Sequence, residues 1–260
     1  MAAQEMSAHE TLSHLDVQGR SIAFKSLPGA PEKPGLFWLG GFKSDMEGSK
    51  AGHLVEYARA HGLANVRFDY SGHGISGGDF EDGTISRWLE ESLAVFEATT
   101  RGPQIVIGSS MGGWMALLLA RALAQKAPGR VKALVLIAPA PDFTEDLMWA
   151  EFPPPVRELV MNTGKFLKPS LYGEEPYVIT RTLIEDGRRN LLLGAPFAVG
   201  CPVRILQGSA DTDVPWQHAM RLVTGLAEDD VVFTLIKGGD HRLSRPQDLT
   251  RLSNTVDEFL

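Results

Sequence analysis

The sequence predicts an α/β fold: a mostly parallel, twisted sheet of about eight strands, helices on both faces, and a helical cap inserted after the sixth strand. Three observations predict it. Short apolar runs alternate with longer segments of helical periodicity along most of the chain. Those runs are continuously apolar, as strands covered on both faces require, and several end in glycine or a turn residue. The rhythm breaks once, over residues 142–201, and then resumes. Residues 1–141 and 202–260 are therefore expected to form one core and residues 142–201 the cap, in a single structural domain.

Residues 15–27, LDVQGRSIAFKSL, read as two strands turning at Gln18-Gly19, with the preceding residues as a tail. GLFWLGG, residues 35–41, is an apolar run closed by glycines, and a helix is expected over residues 48–61. ANVRFDY (64–70) is the next strand, and a polar helix covers residues 85–100. QIVIG (104–108) is a strand, WMALLLARALAQK (114–126) a helix, and VKALVLIAPA (131–140) a strand. The stretch after it holds Pro153-Pro154-Pro155 and several aromatics but no strong strand, and it is too long for an ordinary connection, hence the cap. PVRILQG (202–208), a helix over 216–226, VVFTLIKG (231–238) and a final helix over 246–260 complete the chain.

The bulk numbers exclude several classes. A formal net charge of −7 disfavours phosphate-backbone binding, so no nucleic-acid partner is expected. Cys201 is alone, which excludes an internal disulfide and a multi-cysteine zinc site. The most apolar helix, near Met115 to Ala124, is interrupted by Arg121 and is too short to span a bilayer. The N-terminal stretch has neither the apolar core of a signal peptide nor an Arg before Arg20, so a cytoplasmic location is expected.

Three glycine patterns compete for the chemistry. Gly72 to Gly77 matches G-x-G-x-x-G, the turn that seats a dinucleotide pyrophosphate on a helix N-terminus. The next residues, Gly78-Asp79-Phe80-Glu81-Asp82-Gly83, open no helix and add negative charge, and the acid wanted further on falls inside a predicted helix near Glu91. Gly74-Ile75-Ser76-Gly77-Gly78 matches G-x-S-x-G, but Ser76 sits in a glycine-rich loop with neither strand nor helix adjoining it, and reads as a flexible loop serine. Gly108-Ser109-Ser110-Met111-Gly112 is the same pattern placed directly between a strand and a helix, as a nucleophile elbow requires. Ser110 is the candidate nucleophile.

A serine hydroxyl needs a base, an acid to orient that base, and donors for the oxyanion. In this arrangement acid and then histidine come after the nucleophile in the chain. His9, His14, His53, His61 and His73 precede it, and His218 lies in a helix and reads as a surface residue. His241, on the loop GGDHRLS after the last strand, is the candidate base. QGSADTDVPW offers Asp211 at the strand end, with Asp213 as competitor; Asp142 is a weaker option and Asp240 reads as a turn residue. The oxyanion donors are expected to be the backbone N–H groups of Met111 and Phe42. Gly41, Trp149 and Phe152 are expected to contact substrate, and Leu147, Met148, Phe166, Tyr172 and Tyr177 also suit an apolar acyl or aryl group. No metal or cofactor is implied.

The segments LFWLGGFKSDMEGSKA, VRFDYSGHGISGG, IVIGSSMGGWMALL, CPVRILQGSADTDVPW and GGDHRLS resemble the α/β-hydrolases. More narrowly, they resemble the group of mitochondrial palmitoyl-protein thioesterases that also act as acyl-glucuronide esterases. The likeness runs from residue 35 to the C-terminus and is weakest over residues 142–190. It implies a serine esterase or thioesterase acting on a small-molecule substrate, with nucleophile, acid and base on Ser110, Asp211 and His241. It also implies that the loop around Ser76 packs near the active site without taking part. Gly40 stands where many relatives have histidine, and no presequence is visible, so the mitochondrial location is not carried over. The rivals are other chemistry on the same scaffold (aminopeptidase, lipase or lactonase), a nucleotide-dependent enzyme built on Gly72 to Gly77, and a non-catalytic receptor.

Overall fold

The computed structural model describes residues 9–169 and 176–260. Strands β1 (Thr11–Val17), β2 (Arg20–Leu27), β3 (Gly35–Leu39), β4 (Asn65–Phe68), β5 (Gln104–Ser109) and β6 (Val131–Ile137) are followed by a two-stranded hairpin, β7 (Lys165–Lys168) and β8 (Tyr177–Thr180), and then by β9 (Val203–Gly208) and β10 (Val231–Ile236). The main sheet has eight strands in the order β1-β2-β4-β3-β5-β6-β9-β10. β1, β2 and β4 pair antiparallel, and every other pairing in that sheet is parallel. The β1–β2 turn lies at Gln18 and Gly19, whose φ angles of 54° and 77° are the pair that a two-residue hairpin matched to strand twist demands.

The continuous apolar runs are explained by two cores, one on each face of the sheet. In β3, Phe37 and Leu39 face one core while Leu36 and Trp38 face the other. In β6, Leu134 and Leu136 divide from Ala133, Val135 and Ile137 in the same way. The helices α2 (Ile85–Thr99), α3 (Met111–Lys126) and α6 (Trp216–Gly225) contribute to the first core, and α1 (Ser49–His61) and α7 (Pro246–Asp257) cover the second. The helix expected to be polar, α2, buries Trp88, Val95 and Phe96 and also Glu91, which accepts from Arg20 Nε at 2.7 Å and from the Ser71 N–H at 2.9 Å.

Helix α3 begins at Met111, three residues before the sequence expectation, so Gly112 and Gly113 are helical. They are there for closeness. A Cβ on Gly112 would lie 2.0 Å from the Leu39 carbonyl oxygen, and one on Gly108 would lie 2.2 Å from the Gly112 carbonyl oxygen. β3, β5 and α3 thus meet backbone to backbone, which fixes where the helix starts.

Between β6 and β9 the chain forms a π-helical turn (Thr144–Trp149), α4 (Pro154–Thr163), the β7–β8 hairpin and α5 (Arg181–Arg188). The hairpin adds two short strands to a stretch in which no strong strand was expected. Its strands are four residues each: Lys165 and Lys168 bound β7, and β8 offers only the three apolar residues Tyr177, Val178 and Ile179. Phe152, Val160, Ile179 and Ile184 form a small separate core in this segment. Tyr172 lies outside the described residues. No helix among the described residues is long and apolar enough to cross a membrane.

The close approach at Gly112 sets a contrast that urea denaturation can read. Gly112→Ala is expected to lower stability by about 1–3 kcal/mol or more, because the added methyl meets backbone that cannot yield. Gly52→Ala, inside α1 where nothing lies within 4 Å of the new atom, is expected to raise it by about 0.5–1 kcal/mol.

Candidate active site

Ser110 occupies the single residue between β5 and α3, with φ 56° and ψ −119°. A non-glycine residue resists that region, and such strain persists only where surrounding structure imposes it. Here the Ser110 N–H donates to the Ile137 carbonyl at 2.9 Å, and its own carbonyl accepts from the N–H groups of Gly113 at 2.9 Å and Ala140 at 3.1 Å. The hydroxyl is thereby presented at the carboxyl edge of the parallel strands, where sheets of this topology collect ligands.

His241 arrives on the loop between β10 and α7. Its Nε2 lies 3.1 Å from Ser110 Oγ, and its Nδ1 lies 2.9 Å from Asp211 Oδ2. With Nδ1–H donating to the carboxylate, Nε2 is left to accept the serine proton. The Asp211 side chain is fully buried. Its Oδ1 accepts from the Asp213 N–H at 2.9 Å and the Val214 N–H at 2.8 Å, and its Oδ2 also accepts from Gln207 Nε2 at 3.1 Å. The competing Asp213 lines the pocket without taking this place. One ligand atom from each of Asp211, Asp213 and His241 could gather around an ion within 4.8 Å, but both Asp211 oxygens already accept hydrogen bonds.

Two braces were missed in the sequence. Gln207 is wholly buried on β9 and ties Asp211 to the Val214 carbonyl at 3.0 Å; its signal was an amide inside an otherwise apolar strand. Lys50 donates to the Arg242 carbonyl, beside His241, and burial pushes its ammonium down to about 8. Its signal was a cation in the first turn of a helix, the end that repels positive charge.

The turn after β3 faces the elbow: a Cβ on Gly41 would lie 3.4 Å from Ser110 Cβ. Within this turn the Gly41 N–H donates to Ser44 Oγ at 2.9 Å, the Lys43 N–H to His73 Nε2 at 3.1 Å, and the Ser44 N–H to the Gly41 carbonyl at 3.2 Å. The Phe42 N–H has no acceptor among the described residues.

The other candidates have different work. Ser76 is tied down, against the expectation of a flexible loop: its Oγ accepts from the Ala23 N–H of β2 at 2.8 Å and donates to the Asp69 carbonyl at 2.6 Å. No α-helix opens on Gly77; a 3-10 turn at Phe80–Asp82 comes next, and Glu91 is already held by Arg20 and Ser71. His218 is buried, not on the surface, because its face of α6 packs on the chain leaving β6, where its ring meets the Pro141 carbonyl at 2.7 Å. Asp142 accepts from the N–H groups of Leu192 and Leu193.

A pocket of about 540 Å³ opens over Ser110. Its lining mixes apolar side chains, among them Phe42, Met111, Phe143, Leu147, Met148 and Tyr177, with charged and polar ones, among them Lys43, Asp45, Lys50, Asp213 and Arg242. Gly41 lies in the lining. Trp149 and Phe152 do not, which corrects the sequence expectation: Phe152 is drawn into the small core of the inserted segment with Phe166 against it, and the Trp149 ring lies under the guanidinium groups of Arg157 and Arg188. A second hollow of about 400 Å³, lined by Pro34, Pro103, Lys132 and the buried Cys201, lies at the opposite, amino-terminal edge of the strands.

The alpha/beta hydrolase family matches residues 27–252. Palmitoyl-protein thioesterase ABHD10, mitochondrial, from Pongo abelii is 36% identical over 241 residues, covering 92% of this chain and 76% of that protein. Among solved structures, a protein described as a hydrolase from Agrobacterium vitis S4 matches with a TM-score of 0.90 at 48% identity, over 97% of this chain and 98% of the other. Alpha/beta hydrolase domain-containing protein 10 from mouse matches with a TM-score of 0.86 at 34% identity, over 95% and 97%. The mitochondrial location carried in the names of the relatives overturns the cytoplasmic expectation. That expectation rested on the composition of the N-terminal stretch. The chain belongs to the alpha/beta hydrolase family.

Proposed function

We propose that the protein hydrolyses carboxylic esters or thioesters through an acyl-enzyme on Ser110. The observation that carries this reading is the unbroken hydrogen-bonded line from Ser110 Oγ through His241 to Asp211 at the floor of a pocket. His241 Nε2 takes the serine proton as Oγ attacks the carbonyl carbon, and the carbonyl π-bond electrons move onto oxygen. The oxyanion is held by the N–H groups of Met111 and Phe42, at the positive end of α3. Collapse expels the alcohol or thiol, which takes the proton from His241. Water, deprotonated by the same nitrogen, then attacks the acyl carbon; the acyl C–Oγ bond breaks, the acid is released, and His241 returns the proton to Ser110 Oγ. Asp211 keeps the proton on Nδ1 and stabilises the imidazolium.

The apolar side chains in the pocket lining support an apolar acyl or aryl group as the acid part. The palmitoyl-protein thioesterase activity named for the relatives fits that reading. The segment over residues 142–201 acts as a cap, since Phe143, Leu147, Met148 and Tyr177 come from it.

A fluorophosphonate label with peptide mapping is expected to mark Ser110 in the native protein and nothing in Ser110→Ala; a mark on Ser76, or an unmarked but active protein, would sink the reading. Asp211→Asn is expected to lower kcat about 10⁴-fold with the fold intact. Leu147→Trp is expected to lower kcat/KM for long acyl thioesters about tenfold relative to acetyl thioesters, since one methylene's worth of misfit already discriminates by that order.

A further inference from the structure

The histidine of the glycine-rich loop Gly72-His73-Gly74 has no part in the proton relay, yet it touches the site. We infer that His73 is a positioning residue for the oxyanion turn: its Nε2 holds the Lys43 N–H and so fixes the turn from which the Phe42 N–H points. This rests on the reading of Ser110 as nucleophile.

The turn cannot be expected to hold itself. Its closing bond joins the Ser44 N–H to the Gly41 carbonyl, which puts Phe42 and Lys43 at its two centre positions. Lys43 has φ 55°, a conformation that turns of this kind assign to glycine or asparagine. An L-residue there needs an external hold, and the Lys43 N–H finds it on a residue thirty positions away in the chain. A donor aimed at developing charge must keep its place within about half an ångström, so the hold bears on rate.

His73 is built to be an acceptor. Its Nδ1–H donates to the Ser71 carbonyl at 3.1 Å, which leaves the lone pair of Nε2 facing Lys43. The ring is buried and clasped by Tyr70, Trp88 and Phe80 at centroid distances of 5.5, 5.2 and 5.1 Å. Burial pushes its pKa down to about 4, so the acceptor stays neutral at working pH. The loop that carries it is itself anchored: Asp69 accepts from the Ile75 N–H with one oxygen and from the Met46 N–H, two residues beyond the turn, with the other. The Phe42 ring packs on Phe80 and Trp88, the same rings that clasp His73. Turn and loop therefore share one wall.

Two substitutions separate aiming from mere filling. His73→Gln places an amide oxygen at the reach of Nε2, whereas His73→Asn keeps an amide at the reach of Nδ1 and loses the turn. Activity is read as kcat per active site, titrated with fluorophosphonate on Ser110, beside thermal melting. His73→Asn is expected to lower kcat about tenfold or more. KM and the pH midpoints of kcat/KM should stay in place, and His73→Gln should recover most of the rate. Equal losses in both variants, a rise in KM in place of the fall in kcat, or an unchanged rate per titrated site in His73→Asn would overturn the inference while leaving the Ser110 reading intact. Wild-type protein that is active but unlabelled at Ser110 would overturn both.

Discussion

A φ of 56° at Ser110 is the constraint on which the rest of the molecule depends. It turns the chain from β5 into α3 within one residue and leaves the hydroxyl standing clear of the sheet edge. The strain is sustained because β3, β5 and α3 approach more closely than side chains permit, at Gly108 and Gly112, and because the Ser110 peptide groups are pinned to the end of β6. Two separate cores, one on each face, then hold those strands rigid. Ser110 Oγ therefore sits at a junction where three elements meet backbone to backbone.

Around that junction each working group has supporting groups of its own. Asp211 orients His241 and is itself braced by Gln207 and two backbone N–H groups. The His241 loop is tied to α1 by Lys50 at the Arg242 carbonyl. The turn after β3 is tied to the loop after β4 by His73 and Asp69. The acid, the His241 loop and the turn after β3 are thus each fastened to other parts of the fold. This is what an esterase or thioesterase needs, since developing charge must meet dipoles already in place.

How much of this could be read from the residues depended on the reach of each signal. The strands were legible because burial on both faces makes a run of apolar residues, and Ser110 was legible because its glycines sit between such a run and a helix. Asp211 and His241 came from chain order. The β7–β8 hairpin was not legible, since β7 is bounded by Lys165 and Lys168 and the apolar stretch of β8 is only three residues long. Trp149 and Phe152 were misplaced for a related reason: composition identifies an aromatic but not the side of a small core on which it lies. His218 and His73 meet partners 77 and 30 positions away in the chain, and no local pattern announces such a partner. The residues after the glycine loop already spoke against a dinucleotide turn, and a 3-10 turn follows it in place of an α-helix.

Cys201 offers a practical benefit at the far edge of the sheet. Its thiol is buried and pushed up to about 12 by that burial. Chromogenic disulfides that report freed mercaptans react with thiolate. The folded enzyme would therefore contribute almost no background when a released thiol is followed in real time. For the same reason, reporter cysteines can be installed on the surface one at a time for fluorophores without first removing the native one.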